Sequence, residues 1–340
     1  MFTARRSPVP PHQAGGLRRA SEFKMPPSTR PLTQDERRHR ALEEQKSASY
    51  ERINAARNID SMAFLSLGNE DEEDEDRKRN RRRKNRRYAD VCMFAELLEL
   101  QTEHDGLPHN LETGWVALAP IPVGKRCLAV TYSGKDYRTS TQLFSRLKGA
   151  RFLKFPSPLP MNSILDCVLD ANWEVNGIIH VLDILRWHGK DFTDCEANFR
   201  FWWRDSRISE ITPLPPSPSM EFDFASMAQA EREIPLTFQY PYVFLPVPYY
   251  TPPISMEMFL TTVIPAAKMT RSFEVKLPPA LPSTSWAGRA LQTGIATDGL
   301  LLYVSEASYQ SGETPLSTWV PTKPLEGGLS NPVTLDLFEA

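Results

Sequence analysis

The chain has 340 residues and a formal net charge of −2, so it is long enough for one or two domains and is not a polycation as a whole. Its four cysteines are widely spaced without a Cys-x-x-Cys pair, and no apolar run approaches the roughly 18 residues that a membrane helix needs. These features predict reduced thiols in a nuclear or cytosolic protein that has no signal peptide and no contact with a membrane.

The N-terminal part of the chain is predicted to be a disordered tail followed by one long helix. Residues 1–28 are rich in Pro, Ser and Arg, a composition typical of disorder. Thr33 and Glu36 form a capping-box pattern, and no Pro or Gly interrupts residues 34–59. The apolar stripe of this helix is thin and consists of Leu42, Ile53 and Ala56. The pattern fits a solvated surface helix or a helix that folds onto an acidic partner, and it argues against deep burial in a core of its own chain.

Two blocks of opposite charge follow the helix. Residues 70–76 are all acidic, and residues 77–87 are nine basic residues and two Asn. Like charges repel one another, so residues 61–87 are predicted to be a disordered linker. The basic block fits a solvated linker, a segment with nonspecific affinity for nucleic acid, or a localisation signal, and the sequence does not separate these alternatives.

From residue 88 the pattern becomes strand-dominated with a few helices, which predicts an α+β core in a single domain over residues 88–325, followed by a tail over 326–340. Alternating or continuous apolar runs between turn residues indicate the strands. The Pro-rich segment 209–295 resembles an insertion into this domain. The predicted elements are a short helix at 91–100, two strands around a Pro-Val-Gly turn at 115–134, a hairpin made of 163–170 and 176–185, and late strands at 297–303 and 314–320.

The segment LRWHGKDFTDCEANFRFWW, residues 185–203, combines candidate catalytic or metal-binding residues with four aromatics within its last five positions. Zinc sites usually show ligands paired at short spacing, and His188 and Cys195 stand seven positions apart with no other cysteine near. Neither a metal site nor a Cys/His nucleophile is favoured. The segment instead predicts a turn near Gly189 and then a strand with Phe199, Phe201 and Trp203 on a buried face and Trp202 on the other.

Blocks of the chain, in the same order, resemble the snurportin family of nuclear import adaptors for spliceosomal small nuclear ribonucleoproteins. The segments that resemble this family are DERRHRALEEQKSASYERINAARNI, PVGKR, ILDCVLDANWEVNGIIHVLDILRWHGKDFTDCEANFRFWW and DGLLLYVSEASYQSGETPLSTW. They cover roughly residues 30–60, 88–208 and 296–322. The resemblance implies a two-sheet, β-rich α+β domain similar in fold to messenger-RNA guanylyltransferases, preceded by a long basic helix and disordered linkers.

The resemblance also implies that this domain binds the 2,2,7-trimethylguanosine cap of small nuclear RNA. A guanine methylated at N7 is cationic, so it favours stacking on an aromatic ring. The family's tryptophan for this contact corresponds to Trp319, and its phosphate-binding cations correspond to Arg126, with Lys125 beside it, and Arg138. The family's second tryptophan is replaced here by Leu97, which can cover the N2 methyl groups but cannot stack.

The helix at residues 29–60 resembles the family's importin-β-binding segment, so the resemblance implies that importin-β is a partner. The residues expected to contact it are Arg37, Arg38, Arg40, Leu42, Lys46, Arg52 and Arg57. A monomeric adaptor that shuttles between nucleus and cytoplasm is expected, without a cofactor, metal or catalytic residues. The leucine-patterned segment through which the family binds the nuclear exportin is not found in MFTARRSPVPPHQAGG, so that partner is open.

The alternative is an enzyme of the nucleotidyltransferase fold that acts on RNA caps. TDGLLLY at 297–303 resembles one strand motif of guanylyltransferases. Those enzymes need a lysine nucleophile in a Lys-x-Asp-Gly motif, which this sequence does not contain. Because a fold shared with an enzyme does not bring its activity, the adaptor is favoured.

Overall fold

The fold was analysed in a computed structural model that describes residues 32–62, 88–99, 108, 110–133, 139–211, 242–276, 290–323 and 333–338. The helices are α1 (Gln34–Met62), α2 (Leu111–Gly114), α3 (Trp173–Asn176), α4 (Ala197–Ser209), α5 (Met256–Met258) and α6 (Ile264–Lys268), with a π-helical turn at Phe259–Val263 and a 3-10 turn at Leu335–Phe338. The first strands are β1 (Met93–Leu97), β2 (Trp115–Pro122), β3 (Gly124–Ser133), β4 (Thr139–Ser145), β5 (Arg151–Pro156), β6 (Ile164–Asp170) and β7 (Ile178–Trp187). The remaining strands are β8 (Lys190–Asp191), β9 (Val243–Pro246), β10 (Tyr249–Tyr250), β11 (Arg271–Lys276), β12 (Ala290–Ile295), β13 (Thr297–Val304) and β14 (Gly312–Pro321).

Two larger sheets form the core of the domain. Within the described residues, sheet A has the strand order β1-β14-β13-β2-β10, and sheet B has the order β5-β4-β3-β6-β7-β8 with β9 beside β7. Most neighbours are antiparallel, whereas β1 runs parallel to β14 and β9 runs parallel to β7. Strands β2 and β3 are consecutive in the chain but enter different sheets. The predicted β-rich α+β class with an N-terminal helix is confirmed.

The N-terminal helix begins at the predicted capping box. The backbone N–H of Thr33 donates to Oε2 of Glu36 at 2.8 Å, and the N–H of Glu36 donates to Oγ1 of Thr33 at 3.3 Å. These bonds satisfy amides that would otherwise be left unpaired at the first turn of a helix. The helix packs against the domain through Ala41 and Leu42, which are only partly buried, so its contact with the apolar core is shallow, as its thin apolar stripe predicts.

The predicted helix at 91–100 is instead a strand and two flanking connections. Met93–Leu97 pairs with β14, and the N–H of Leu98 donates to the carbonyl of Trp319 at 3.1 Å. Ala, Glu and Leu favour helices locally, but this preference is worth under about 1 kcal/mol per residue. A long-range partner strand that takes up the backbone groups therefore outweighs it.

The aromatic segment at 199–203 shows the opposite error, because it lies in helix α4 rather than in a strand. Phe201 is fully buried, whereas Phe199 and Trp202 are 40% and 53% exposed. The buried positions on this helix repeat at helical spacing and are Ala197, Arg200, Phe201, Arg204 and Ile208. Five residues are too few to tell this period from strand alternation. The predicted turn before it is confirmed, since β7 and β8 form a hairpin around His188 and Gly189, both at positive φ.

The described part of segment 209–295 contributes strands to both large sheets. Strand β10 pairs with β2 in sheet A, and β9 pairs with β7 in sheet B. Strands β11 and β12 form a separate antiparallel ribbon. The predicted boundaries of the domains stay a prediction. Among the described helices, none is long and apolar enough to span a bilayer.

A buried Asp–His–Asn cluster closes the β6–β7 hairpin, which was predicted from the sequence and is confirmed. Asp170 accepts hydrogen bonds from Nδ2 of Asn176 at 3.0 Å and from the backbone of Asn172 at 2.8 Å, and it lies 2.8 Å from Nε2 of His180. Burial alone would raise the pKa of Asp170, but these bonds lower it below its ordinary value of 3.8. The ionised form is therefore the one that stabilises the fold.

We expect Asp170→Asn to lower the free energy of unfolding at neutral pH by about 1–3 kcal/mol, because hydrogen bonds to a buried charge are lost. A lowered folded-state pKa contributes stability above the ordinary value of 3.8 and loses it as the pH falls through the lowered value. Urea denaturation at several pH values should show that the difference in unfolding free energy between the variant and the wild type shrinks as the pH falls below the ordinary pKa of 3.8. A difference that stays constant down to acid unfolding would contradict this role.

Candidate functional site

An aromatic and aliphatic face is formed where three strands of sheet A meet. Trp319 on β14 is the register partner of Leu97 on the parallel strand β1 and of Leu301 on the antiparallel strand β13. Register partners project from the same face of a sheet, so the three side chains lie side by side. Leu301 is buried, whereas Leu97 and Trp319 are half-buried. We call Leu97, Trp319 and Leu301 the tryptophan face.

The tryptophan face is directed toward sheet B. Tyr303 lies two positions from Leu301 and so projects from the same side of β13. Burial raises the pKa of Tyr303 to about 12, and the charge of Arg126 on β3 opposes this rise. The ring of Tyr303 also lies 5.2 Å from that of Phe201 on helix α4, which packs against strand β7, so this side of sheet A faces sheet B.

Arg126 is held between the sheets in a largely buried ion pair, in which the side chain of Asp166 is fully buried and that of Arg126 is 17% exposed. Its Nε donates to Oδ1 of Asp166 at 2.6 Å, and its Nη2 donates to Oδ2 at 2.7 Å and to the carbonyl of Met93 at 3.3 Å. The hydroxyl of Tyr309 donates to Oδ2 of Asp166 at 2.7 Å. Burial alone would lower the pKa of Arg126, but Asp166 holds it well above its ordinary value. The guanidinium is therefore fixed in position, and much of its charge is already neutralised.

The other two predicted phosphate contacts do not join this group. Lys125 precedes Arg126 on β3 and projects from the opposite face, where its Nζ lies 4.0 Å from the ring centroid of Phe152. A ligand against Trp319 would therefore meet Arg126 rather than Lys125. Arg138 lies outside the described residues. The structure thus brings together Leu97, Trp319 and the side of β3 that holds Arg126.

The cations of helix α1 fall into two groups. Arg37 and Arg38 lie against the domain: Arg37 pairs with Glu96 and Glu99, and the guanidinium of Arg38 lies 4.4 Å from the centroid of the Trp115 ring. The others are more exposed: Arg40 pairs with Glu44, Lys46 with Glu306, and Arg52 with Asp194. Leu42 packs partly against the core, and the side chain of Arg57 lies outside the described residues.

The two reactive residue types of segment 185–203 show no feature of a catalytic or metal site. His188 is exposed in the β7–β8 turn. Burial raises the pKa of Cys195, which disfavours the thiolate that a nucleophile or metal ligand requires. Across the part of the chain that the structure describes, no cluster of three or more His, Cys, Asp or Glu side chains is arranged to hold a metal ion.

Sequence reasoning missed the acidic residues that hold Arg126 on strand β3 and Arg37 on helix α1. Asp166 lies in the middle of a strand, and Glu96 and Glu99 lie in a segment predicted to be helical. One signal was present for Asp166, because a lone carboxylate within an apolar strand needs a partner when it is buried. No local signal identifies that partner, since Arg126 is 40 positions away.

Comparison with protein-family models gives a match within this domain. Residues 99–235 match the model described as Snurportin1, m3G cap-binding domain. The match supports a snurportin-family relationship. It confirms the resemblance drawn from the sequence, and it supports cap binding as the property of this domain. The matched segment is less than half of the chain and includes Arg126 and Asp166.

Trp319 and Leu97 lie outside the segment that matches the snurportin model, but the fold connects them to it. Strand β13 pairs with β2 inside the matched segment, and β14 and β1 follow in the same sheet. The tryptophan face is therefore part of the same hydrogen-bonded framework as the snurportin-like segment. The roles of Trp319 and Leu97 in cap binding, which the resemblance implies, stay predictions.

Proposed function

We propose that this protein is a non-catalytic import adaptor that binds trimethylguanosine-capped small nuclear RNA and connects it to importin-β. The observation that carries the cap-binding half is the register of Leu97 with Trp319 on a face of sheet A directed at Arg126, in a chain that matches a cap-binding domain. No Lys-x-Asp-Gly nucleophile motif is found in the sequence, which favours binding over nucleotidyl transfer.

The tryptophan face suits a methylated guanine because its chemistry matches the ligand. A base with a positive charge at N7 is attracted to the indole face of Trp319 by stacking and by cation–π attraction. Leu97, the neighbouring side chain, offers the N2 methyl groups an apolar contact that excludes water. Leucine cannot stack, so selectivity for the trimethylated form rests here on methyl burial rather than on a second ring.

Arg126 is the proposed contact for the phosphate bridge of the cap. Asp166 fixes its guanidinium through two hydrogen bonds, so little side-chain entropy is lost when a phosphate binds. The same carboxylate weakens the attraction, because the pair is close to neutral. The cap is therefore expected to gain more affinity from Trp319 than from this cation.

The importin-β half of the proposal rests on the basic helix α1. Arg40, Lys46 and Arg52 lie on exposed surface, and the acids with which they pair are exposed too, so a more acidic partner can replace those acids. An extended, acidic, concave solenoid surface would complement such a helix. Shuttling between cytoplasm and nucleus follows as part of this proposal.

A bridging assay tests the adaptor directly. Beads that carry trimethylguanosine-capped RNA should retain importin-β only when this protein is added. We expect Arg40→Glu with Lys46→Glu to lower importin-β retention about tenfold, which corresponds to about 1.4 kcal/mol, while leaving capture of the protein by the beads unchanged.

The matched control changes the net charge equally at two exposed lysines of the domain, Lys148→Glu with Lys190→Glu. This variant should retain importin-β as the wild type does. Equal retention by the helix variant and the wild type would contradict the importin-β half of the proposal. For the cap-binding half, we expect free trimethylated cap to prevent capture of the wild-type protein by the RNA beads.

A further inference from the structure

One face of helix α1 is docked on the domain along most of its described length. The positions that point inward repeat every three or four residues, as one face of a helix requires. They are Gln34, Arg38, Ala41, Leu42, Gln45 and Ser49, all of them buried or half-buried. This face is largely polar, so the helix is held by hydrogen bonds and ion pairs rather than by an apolar seam.

The first turn of the helix is clamped by acids around strand β1. Nη2 of Arg37 lies 2.6 Å from carboxylate oxygens of both Glu96 and Glu99. Gln34 donates to Glu96 at 3.2 Å and to the carbonyl of Leu97 at 3.0 Å, and it accepts from the N–H of Glu99 at 3.2 Å. Burial alone would lower the pKa of Arg37, but the two glutamates raise it, so the arginine is charged in this contact.

The middle of the helix is bound by the loop between β13 and β14. The side chain of Gln45 donates to the carbonyl of Ser308 at 3.3 Å and accepts from its N–H at 3.0 Å. Lys46 lies 3.2 Å from Glu306, and Arg52 pairs with Asp194. Domain residues from three separate segments therefore contact one helix face.

This docking uses the same helix residues that are proposed to bind the carrier. Arg37, Arg38, Lys46 and Arg52 all contact domain residues. A second protein cannot take these side chains while the domain holds them. Glu96 and Glu99 thus act as an internal substitute for an acidic partner surface.

We propose that the cap-binding domain is a competitor in cis for helix α1, and that importin-β binds only molecules in which the helix has left the domain. This inference rests on the proposed importin-β function. The contact is suited to reversal: its outer ion pairs are exposed and individually weak, and only the first turn is substantially buried. The apparent affinity for the carrier then equals the affinity of the free helix multiplied by the fraction of molecules in which the helix is undocked, so a small fraction gives weak binding.

The test changes the domain and leaves every helix residue intact. The full-length variant Glu99→Lys with Glu306→Lys removes two acceptors and places cations opposite Arg37 and Lys46. Two readouts are needed: amide hydrogen exchange of residues 34–54, and affinity for importin-β. We expect faster exchange and about fivefold or greater tightening, since the undocked fraction increases. The matched control is Glu174→Lys with Glu257→Lys, two exposed glutamates on helices α3 and α5.

The outcomes separate the two proposals. Faster exchange with tighter carrier binding in the variant, and neither change in the control, supports competition in cis. Faster exchange with unchanged affinity overturns the competition, and unchanged exchange overturns the docking itself. If neither the wild type nor the variant binds importin-β at any concentration tested, the proposed importin-β function fails, and competition for it fails too, while the exchange result still decides whether the helix is docked.

Discussion

Replacing Asp166 with Ala is expected to lower the free energy of unfolding by about 3–5 kcal/mol. Asp166 is fully buried and accepts two hydrogen bonds from Arg126 and one from the hydroxyl of Tyr309. Removing the carboxylate leaves a largely buried guanidinium without its counter-charge. The large cost comes from that uncompensated charge rather than from the value of the pair itself.

Urea denaturation of the wild type and of Asp166→Ala measures this difference. Asp336→Ala is the matched control, because Asp336 pairs with Lys268 at 3.0 Å on an exposed surface. Such a pair is worth about 0–1 kcal/mol, so the control should unfold close to the wild type. A loss of similar size in both variants would show that the buried Arg126–Asp166 pair is not the anchor between the sheets.

Replacing Trp319 with Ala is expected to have the largest effect on cap binding. Stacking of a base on an aromatic ring is worth about 1–3 kcal/mol, which corresponds to about five- to 150-fold in Kd. The upper part of that range is expected because the base is cationic and Leu97, the register partner, provides no second ring. Folding should be affected less, since the ring is only half-buried.

Much of the β-rich core could be predicted because its signals are local. Strands β2, β3, β6 and β7 consist of apolar runs that end at turn residues, so each is visible within a short window. The capping box of α1 was visible for the same reason. A likeness distributed over several blocks then indicated the family, which the match over residues 99–235 supports.

The parts that could not be predicted depend on contacts that are distant in the sequence. Strand β1 exists because β14 takes up its backbone groups more than two hundred positions later, against the helical preference of its own residues. The docking of α1 likewise depends on Glu306 and Asp194, to which no feature of the helix points. In β3, alternation alone assigns Lys125 and Arg126 to opposite faces, and once the strand was predicted this could have been used.

The most direct test of the central claim is a titration with a short RNA that carries a trimethylguanosine cap and a fluorescent label, followed by anisotropy. The label keeps the readout independent of the tryptophans. Trp202→Ala is the matched control, since Trp202 is 53% exposed on helix α4 and belongs to no part of the tryptophan face. We predict that Trp319→Ala weakens binding about 30- to 150-fold while Trp202→Ala binds as the wild type does. Unchanged affinity in Trp319→Ala would contradict the assignment of the tryptophan face as the cap site.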